Sequence, residues 1–275
     1  MEVGQRTSAS DVVDVVDVVR RRLTRFLQSV ARGRAPLIGT LRALQDPSFG
    51  AILFGGLPRD LVVLGGASVP RDVDVVVQVP ISTVEHVFRK HIKRRTRFGG
   101  LHLNVQGWHF DVWSLSDTWA FQQRLVEPAI APMLPRTTFL NAEAIAVELY
   151  HPPGRARRAY EGGLAEAVST RTLNINFEPN PYPALCVVRS ILIASKLGFR
   201  LSPRLLCYIA TQSTLLGIDE LISAQIGHYG TLRRYAAEIR FIIDAIKSHL
   251  SRSPNEPLFL PSTDPIQLAL WDDET

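Results

Sequence analysis

The apolar positions near the start of the chain recur at helical spacing. Val12, Val13, Val15, Val16, Val18 and Val19 are interleaved with Asp and Arg, and Ser8 or Ser10 can cap the run, which predicts a helix reaching about Val30. Valine is a weak helix former, which counts against this assignment. ARGRAP breaks the pattern, and a second helix is expected over residues 37–44. From Ala51 the texture changes to short apolar runs divided by glycine or polar residues: AILFGG, DLVVLGG, DVDVVVQV, LHLNVQ and WHFDVWSL. The first, third, fourth and fifth of these predict strands, and the segment after Arg59-Asp60 predicts a helix start. Residues 83–91 predict a crossover helix that ends in the basic KHIKRR. Strand, helix, strand, helix, strand, strand is the order of a mixed sheet with its acids near strand ends.

Beyond Leu149 the pattern changes again. HPPGRARRAYEGG reads as a loop, and from Tyr182 onward ALCVVRSILIASKLGF, PRLLCYIATQS and GTLRRYAAEIRFIIDAIKSHL are helical in period. Gly198 suits a helix end and Ser202-Pro203 the next start. Prolines at 254, 257, 261 and 265 predict an extended tail from Ser253. No internal repeat occurs at solenoid periods.

Composition sets the bounds. With 275 residues, 46% hydrophobic and 21% charged, the chain can bury the cores of one or two domains. A formal charge of +5 and a pI near 9.5 favour an anionic partner without distinguishing nucleotide, RNA and DNA. Cys186 and Cys207 lie in apolar stretches outside any Cys/His cluster, so both are expected to be small buried hydrophobes in a reduced, cytoplasmic protein. The start has no basic segment followed by an apolar run, and no apolar stretch nears roughly 18 residues, so neither signal peptide nor membrane span is expected.

Against this background the acids stand out. Strand alternation turns Asp72 and Asp74 to one side and Val73 to the core. Two anions held that close repel, and divalent cations offset the repulsion. Asp111, in another strand-like run, supplies a third carboxylate. Three hard oxygen ligands suit two Mg2+ ions better than zinc or iron. Such a pair of ions activates an attacking hydroxyl and holds a triphosphate for in-line displacement. Upstream, Phe54-Gly55-Gly56 ends a strand sixteen residues before the acid pair. Glycine lets backbone approach a phosphate, and the next helix start offers free amides and a positive dipole end. Arg59 can add a charged contact, and Asp60 can accept from the turn or from a nucleotide sugar. Singly, an Asp-x-Asp or a Gly-Gly turn is usually only a solvated edge or a turn; their combination carries the reading.

GGLPRD followed by RDVDVVV resembles the head domain shared by tRNA CCA-adding enzymes and bacterial poly(A) polymerases, in the DNA polymerase beta-like nucleotidyltransferase superfamily. Arg136-Thr-Thr-Phe-Leu-Asn141-Ala142 is similar to the family's Arg-Arg-Asp-Phe-Thr-Ile-Asn-Ala segment, and CVVRSILIASKLGFRLSP to the helix that opens its neck. The resemblance covers about residues 52–203. It implies an α+β chain: an N-terminal helix (1–34), a mixed-sheet nucleotidyltransferase head (35–150), an all-helical neck-like domain (151–252) and the tail (253–275). It also implies that Gly55 and Gly56 contact the incoming nucleoside triphosphate and that Asp72, Asp74 and Asp111 hold magnesium. Arg136 and Asn141 would shape the nucleotide pocket, and Arg189 would face it from the neck. The chain departs from the family at Thr137, where the second segment has Asp, and at Ala184 or Pro183 and Cys186, where the family's base-pairing Asp and Arg stand. Little chain follows the neck. A housekeeping CCA-adding enzyme is therefore not expected.

The acceptor stays open at this point: an RNA 3′ end, including that of a tRNA, ranks before a protein side chain or small molecule in a toxin, antitoxin or defence setting. A non-catalytic nucleotide or RNA sensor, or a scaffold bound to a protein from the same operon, are the readings from other classes. The basic run 89–97 fits an RNA backbone and a solvated helix end equally well. Arg155, Arg157 and Arg158 are expected to be solvated loop cations, Glu143 and Glu148 surface helix charges. Trp108, Trp113 and Trp119 are expected to fill the core, and His109 to be structural.

Overall fold

The computed structural model describes residues 14–29, 31–65 and 70–261. The chain divides into two compact units, one holding the described residues through Pro135 with Ile145–Ala165, the other Arg136–Ala144 with the described residues from Glu166. Among the described residues no single helix is long and apolar enough to cross a membrane.

The first unit opens with helices α1 (Val15–Gln28) and α2 (Ala35–Ala43). Asp14 is the α1 cap, its carboxylate accepting from the Val16 and Asp17 amides; Ser8 and Ser10 lie outside the described residues. Val15, Val19, Leu23, Phe26 and Leu27 bury one stripe, so amphipathic packing overrides the weak propensity of valine. Then come β1 (Ile52–Phe54), α3 (Gly56–Val63), β2 (Asp72–Val77), α4 (Ile81–Phe88), β3 (Ile92–Arg95), β4 (Leu101–Val105), β5 (Trp108–Ser114), the short α5 (Trp119–Gln122), β6 (Ile145–Glu148) and β7 (Ala159–Glu161). The seven strands form one sheet in the order β3-β4-β5-β2-β1-β6-β7. β2 and β5 run parallel and the other pairs antiparallel, a mixed sheet as expected.

Two arginines secure the helices that support the sheet. Arg22 donates to the Leu61 and Val62 carbonyls at the end of α3, at 2.8 and 2.6 Å, and Arg42 to the Leu27 carbonyl at the end of α1. Each satisfies carbonyls that a helix terminus leaves open and places a cation at its negative end.

Three sequence expectations change here. α4 stops at Phe88, and after one 3-10 turn over Arg89–His91 the basic run continues as the edge strand β3. The segment around Glu143 and Glu148 is a 3-10 turn followed by β6 and not a helix; Glu143 is buried. Arg157 is buried at 5% exposure, with a carbonyl contact to Glu148 at 3.5 Å, while Arg155 and Arg158 are exposed. Burial lowers the Arg157 pKa, because desolvation disfavours the charged form.

In the second unit α7 (Pro183–Leu197), α8 (Pro203–Leu216), α9 (Ile218–Tyr229) and α10 (Ala236–Arg252) follow α6 (Leu164–Thr170), whose first two residues belong to the first unit. A two-residue parallel pair, β8 (Thr172–Leu173) and β9 (Arg200–Leu201), interrupts the helices. Gly198 ends α7 in the left-handed conformation and the Ser202 hydroxyl caps α8, as the sequence suggests. Cys186 is buried but Cys207 is exposed, which corrects the expectation for the second thiol. Burial pushes the Cys186 pKa up to about 12, since a thiolate would lose its hydration.

Candidate active site

The register of the first unit's sheet decides which polar residues meet. Asp74 on β2 is the pairing partner of Asp111 on the parallel strand β5, and Asp72 is the partner of His109. Residues paired across a sheet share a face, as do residues two apart on one strand, so Asp72, Asp74 and Asp111 all lie on the same face. The neighbouring positions Val73, Val75, Phe110 and Val112 turn to the opposite face and are almost fully buried. Alternation along β2 and β5 thus holds the carboxylates while the valines anchor their strands.

Extending the row outward, Asp111 pairs with His102 on β4, and His102 with Arg94 on β3; on the other side Asp74 pairs with Phe54 on β1. The row Arg94, His102, Asp111, Asp74, Phe54 therefore crosses five strands. His102 Nδ1 lies 2.8 Å from Asp111 Oδ1. An ionised carboxylate only accepts, so Nδ1 carries the proton and donates. His102 also stacks on His109, with centroids 5.3 Å apart and planes 20° apart. His109 Nδ1 is buried without a hydrogen-bond partner. Sequence reasoning had no place for His102; its part depends on antiparallel register, and the alternating LHLNV gives only its face. Trp113, two residues beyond Asp111 on this face, donates to Thr118 Oγ1 and meets Phe54 edge-on at 6.1 Å.

Gly55 closes this face from β1. It has φ 66° and ψ −117°, a conformation that glycine adopts without a Cβ penalty, and precedes the first turn of α3. A Cβ at Gly55 would lie 3.3 Å from Asp74 Oδ2, so a larger residue there would crowd that carboxylate. α3 begins at Gly56, before the position the sequence suggested, so Arg59 and Asp60 sit inside the helix. Both are about 5% exposed, and the Arg59 guanidinium is paired with Asp60 Oδ1 at 2.8–2.9 Å.

Asp72 is ion-paired with Arg71. Among the described residues no three Asp, Glu, His or Cys side chains are gathered as a ligand set, Asp72 and Asp111 being turned to Arg71 and His102. The three carboxylates are hard oxygen donors on one face of the sheet. Coordination by all three acids requires Asp72 to share or leave Arg71.

The other candidates belong to the second unit. Arg136 is exposed. Asn141 is 3% exposed and works as a clasp: its Oδ1 accepts from the Ala142 and Asn174 amides at 2.8 and 2.9 Å, and its Nδ2 donates to the Thr172 carbonyl at 3.3 Å. Arg189 on α7 donates to Glu143 Oε1 at 2.5 Å, which ties the turn after Asn141 to the helix.

No protein-family model and no curated protein sequence matches the chain. Solved structures do. A Thermotoga maritima CCA-adding enzyme complexed with tRNA is similar over 91% of this chain and 60% of its own, with a TM-score of 0.56 at 13% identity. A tRNA nucleotidyltransferase complexed with a primer tRNA and an incoming ATP analogue is similar over 76% and 61%, TM-score 0.52 at 18% identity. A CCA-adding enzyme in complex with CTP matches over 86% and 56%, TM-score 0.57 at 12% identity. The chain thus spans 56–61% of the length of these solved proteins. At such identities the likeness establishes the fold: an α+β chain in which a mixed-sheet unit and a largely helical unit have the architecture of tRNA nucleotidyltransferases.

Proposed function

We propose that the chain is a metal-dependent nucleotidyltransferase that moves a nucleoside monophosphate from a nucleoside triphosphate to the 3′ hydroxyl of an RNA and releases pyrophosphate. The observation that carries this reading is the pairing of Asp74 with Asp111, with Asp72 on the same face. Nucleotide and tRNA complexes of proteins with this fold add support.

In this reading Asp72, Asp74 and Asp111 hold two Mg2+ ions. Magnesium supplies the positive charge that favours deprotonation of the acceptor hydroxyl and offsets charge on the transferring phosphate. Gly55 and Gly56 present backbone to the triphosphate at the start of α3, where free amides and the dipole favour an anion. Asp111, held by His102 at one oxygen, keeps the other for the metal or the acceptor proton. His102 is thus a positioning residue. The Arg59–Asp60 pair stiffens the first turns of α3, and the Asn141 clasp with Glu143–Arg189 stiffens the start of the helical unit. Positioning and charge stabilisation, not covalent catalysis, supply the rate. Arg136, exposed and cationic, contributes to the nucleotide pocket. The division of labour would be that of the two units, catalysis in the sheet unit and support from the helical unit, acting in the cytoplasm.

The test is release of pyrophosphate from each nucleoside triphosphate in turn, with magnesium and total cellular RNA, by the wild type and by Asp74→Asn. Release that needs both RNA and Asp74 supports the proposal. Tight nucleotide binding with no release would sink it in favour of a sensor.

A further inference from the structure

One short segment of this chain is densely basic. Residues 89–97 hold six Arg and Lys and no Asp or Glu, against a formal total of +5, so the rest of the chain sums to −1. Arg89, Lys90, Lys93, Arg94, Arg95 and Arg97 are all exposed. Arg95 is paired with Glu85, and Arg97 lies over the Phe98 ring; among the described residues the other four have no carboxylate partner. Their charge faces solvent.

Topology gives this patch a direction. β3 is the outer strand of the sheet, and a bulge between Ile92 and Arg94 brings Arg94 opposite His102. Arg94 therefore stands on the carboxylate face, in the row that continues through His102 and Asp111 to Asp74. With strands spaced about 4.8 Å apart, the Arg94 backbone is about 10 Å from that of Asp111, two strands away. Arg94 thus borders the carboxylates on their own face, whereas Arg95, paired with Leu101, stands on the other.

Resting on the transferase reading, we propose that β3 and the turns flanking it form the docking edge for the acceptor, and that the acceptor is a single-stranded RNA held by its phosphates. A polyanion is what exposed cations on an edge strand and the turns beside it fit, because each phosphate contact releases counterions. A small-molecule acceptor would have no use for cations spread over residues 89–97. Cations on an edge strand also discourage strand pairing between molecules. That role alone predicts no link between these side chains and RNA affinity.

The experiment compares the full-length wild type with Lys93→Gln/Arg94→Gln/Arg97→Gln, using fluorescence anisotropy of a labelled single-stranded RNA across a salt series. The triple variant is expected to bind more weakly, with the slope of log affinity against log salt reduced by about 2, since each lost contact on a single strand removes about 0.7. Nucleoside triphosphate affinity and melting temperature stay at wild-type values. The swap Lys93→Arg/Arg94→Lys/Arg97→Lys, which keeps the charge, retains RNA affinity and guards against a folding artefact. Equal affinity and slope for wild type and Gln variant would overturn the docking edge, as would a wild type that binds no RNA. Binding is read without turnover, so RNA held at β3 by a protein that transfers nothing defeats the transferase reading and leaves the edge standing.

Discussion

Substituting Gly55 with alanine probes the site through one added carbon. The backbone at φ 66° and ψ −117° lies outside the regions open to other residues, and holding alanine there costs about 1–3 kcal/mol. The new Cβ would also approach Asp74 Oδ2 to 3.3 Å, which pushes that carboxylate by a few tenths of an ångström. Gly65 is the control: its φ is 71°, but a Cβ there meets nothing within 4 Å, so alanine adds only backbone strain of about 1–2 kcal/mol. Both variants should melt lower, by about 2–4 °C per kcal/mol. On the proposed reading only Gly55→Ala should slow nucleotide transfer, by about tenfold, because displacing the Asp74 carboxylate reaches the transition state directly. Scanning calorimetry and single-turnover incorporation on the two proteins decide the matter. Equal turnover by Gly55→Ala and Gly65→Ala would refute the idea that a side chain at Gly55 disturbs Asp74.

Three further outcomes follow from the same geometry. His102→Ala should weaken Mn2+ binding, followed by electron paramagnetic resonance, by roughly 10–100-fold, and His102→Asn, which can still donate to Asp111, by less; equal losses would mean that His102 acts only by packing on His109. Asn141→Ala leaves the Asn174 and Ala142 amides without their acceptor and should destabilise by about 2–4 kcal/mol in urea, whereas Asn141→Asp keeps both contacts and should lose less; identical losses would remove the clasp. Because the Cys186 pKa is raised to about 12, its thiol stays protonated at neutral and mildly alkaline pH, so iodoacetamide should label the exposed Cys207 alone in the native protein; fast labelling of two thiols would contradict the burial.

The parts of the fold that the sequence made legible are those in which one pattern dominates. β2, β4 and β5 alternate or run apolar between turn residues, and Gly198 and Ser202-Pro203 mark helix limits by backbone chemistry alone. β3 was hidden because IKRR has almost no apolar face; an edge strand with exposed Lys93, Arg94 and Arg95 needs none. β6 was hidden because Ile145–Glu148 is a buried apolar run short enough for either period. At the site, alternation suffices to pair Asp72 with Asp74, but the partnership of Asp111 with Asp74 and of His102 with Asp111 is a matter of register between strands far apart in sequence. Asn141 shows a different limit. A buried Asn reads like any other in a sequence, and only the fold brings the Asn174 amide and the Thr172 carbonyl to its side chain.

Whether Asp72 and Asp74 run a transfer reaction on RNA is decided most directly by incubating the purified protein with labelled nucleoside triphosphates, magnesium and total cellular RNA beside Asp72→Ala/Asp74→Ala. Label in RNA is expected with the wild type and none with the double variant. Label that persists in the variant, or none in RNA with either protein, would contradict the proposed reaction.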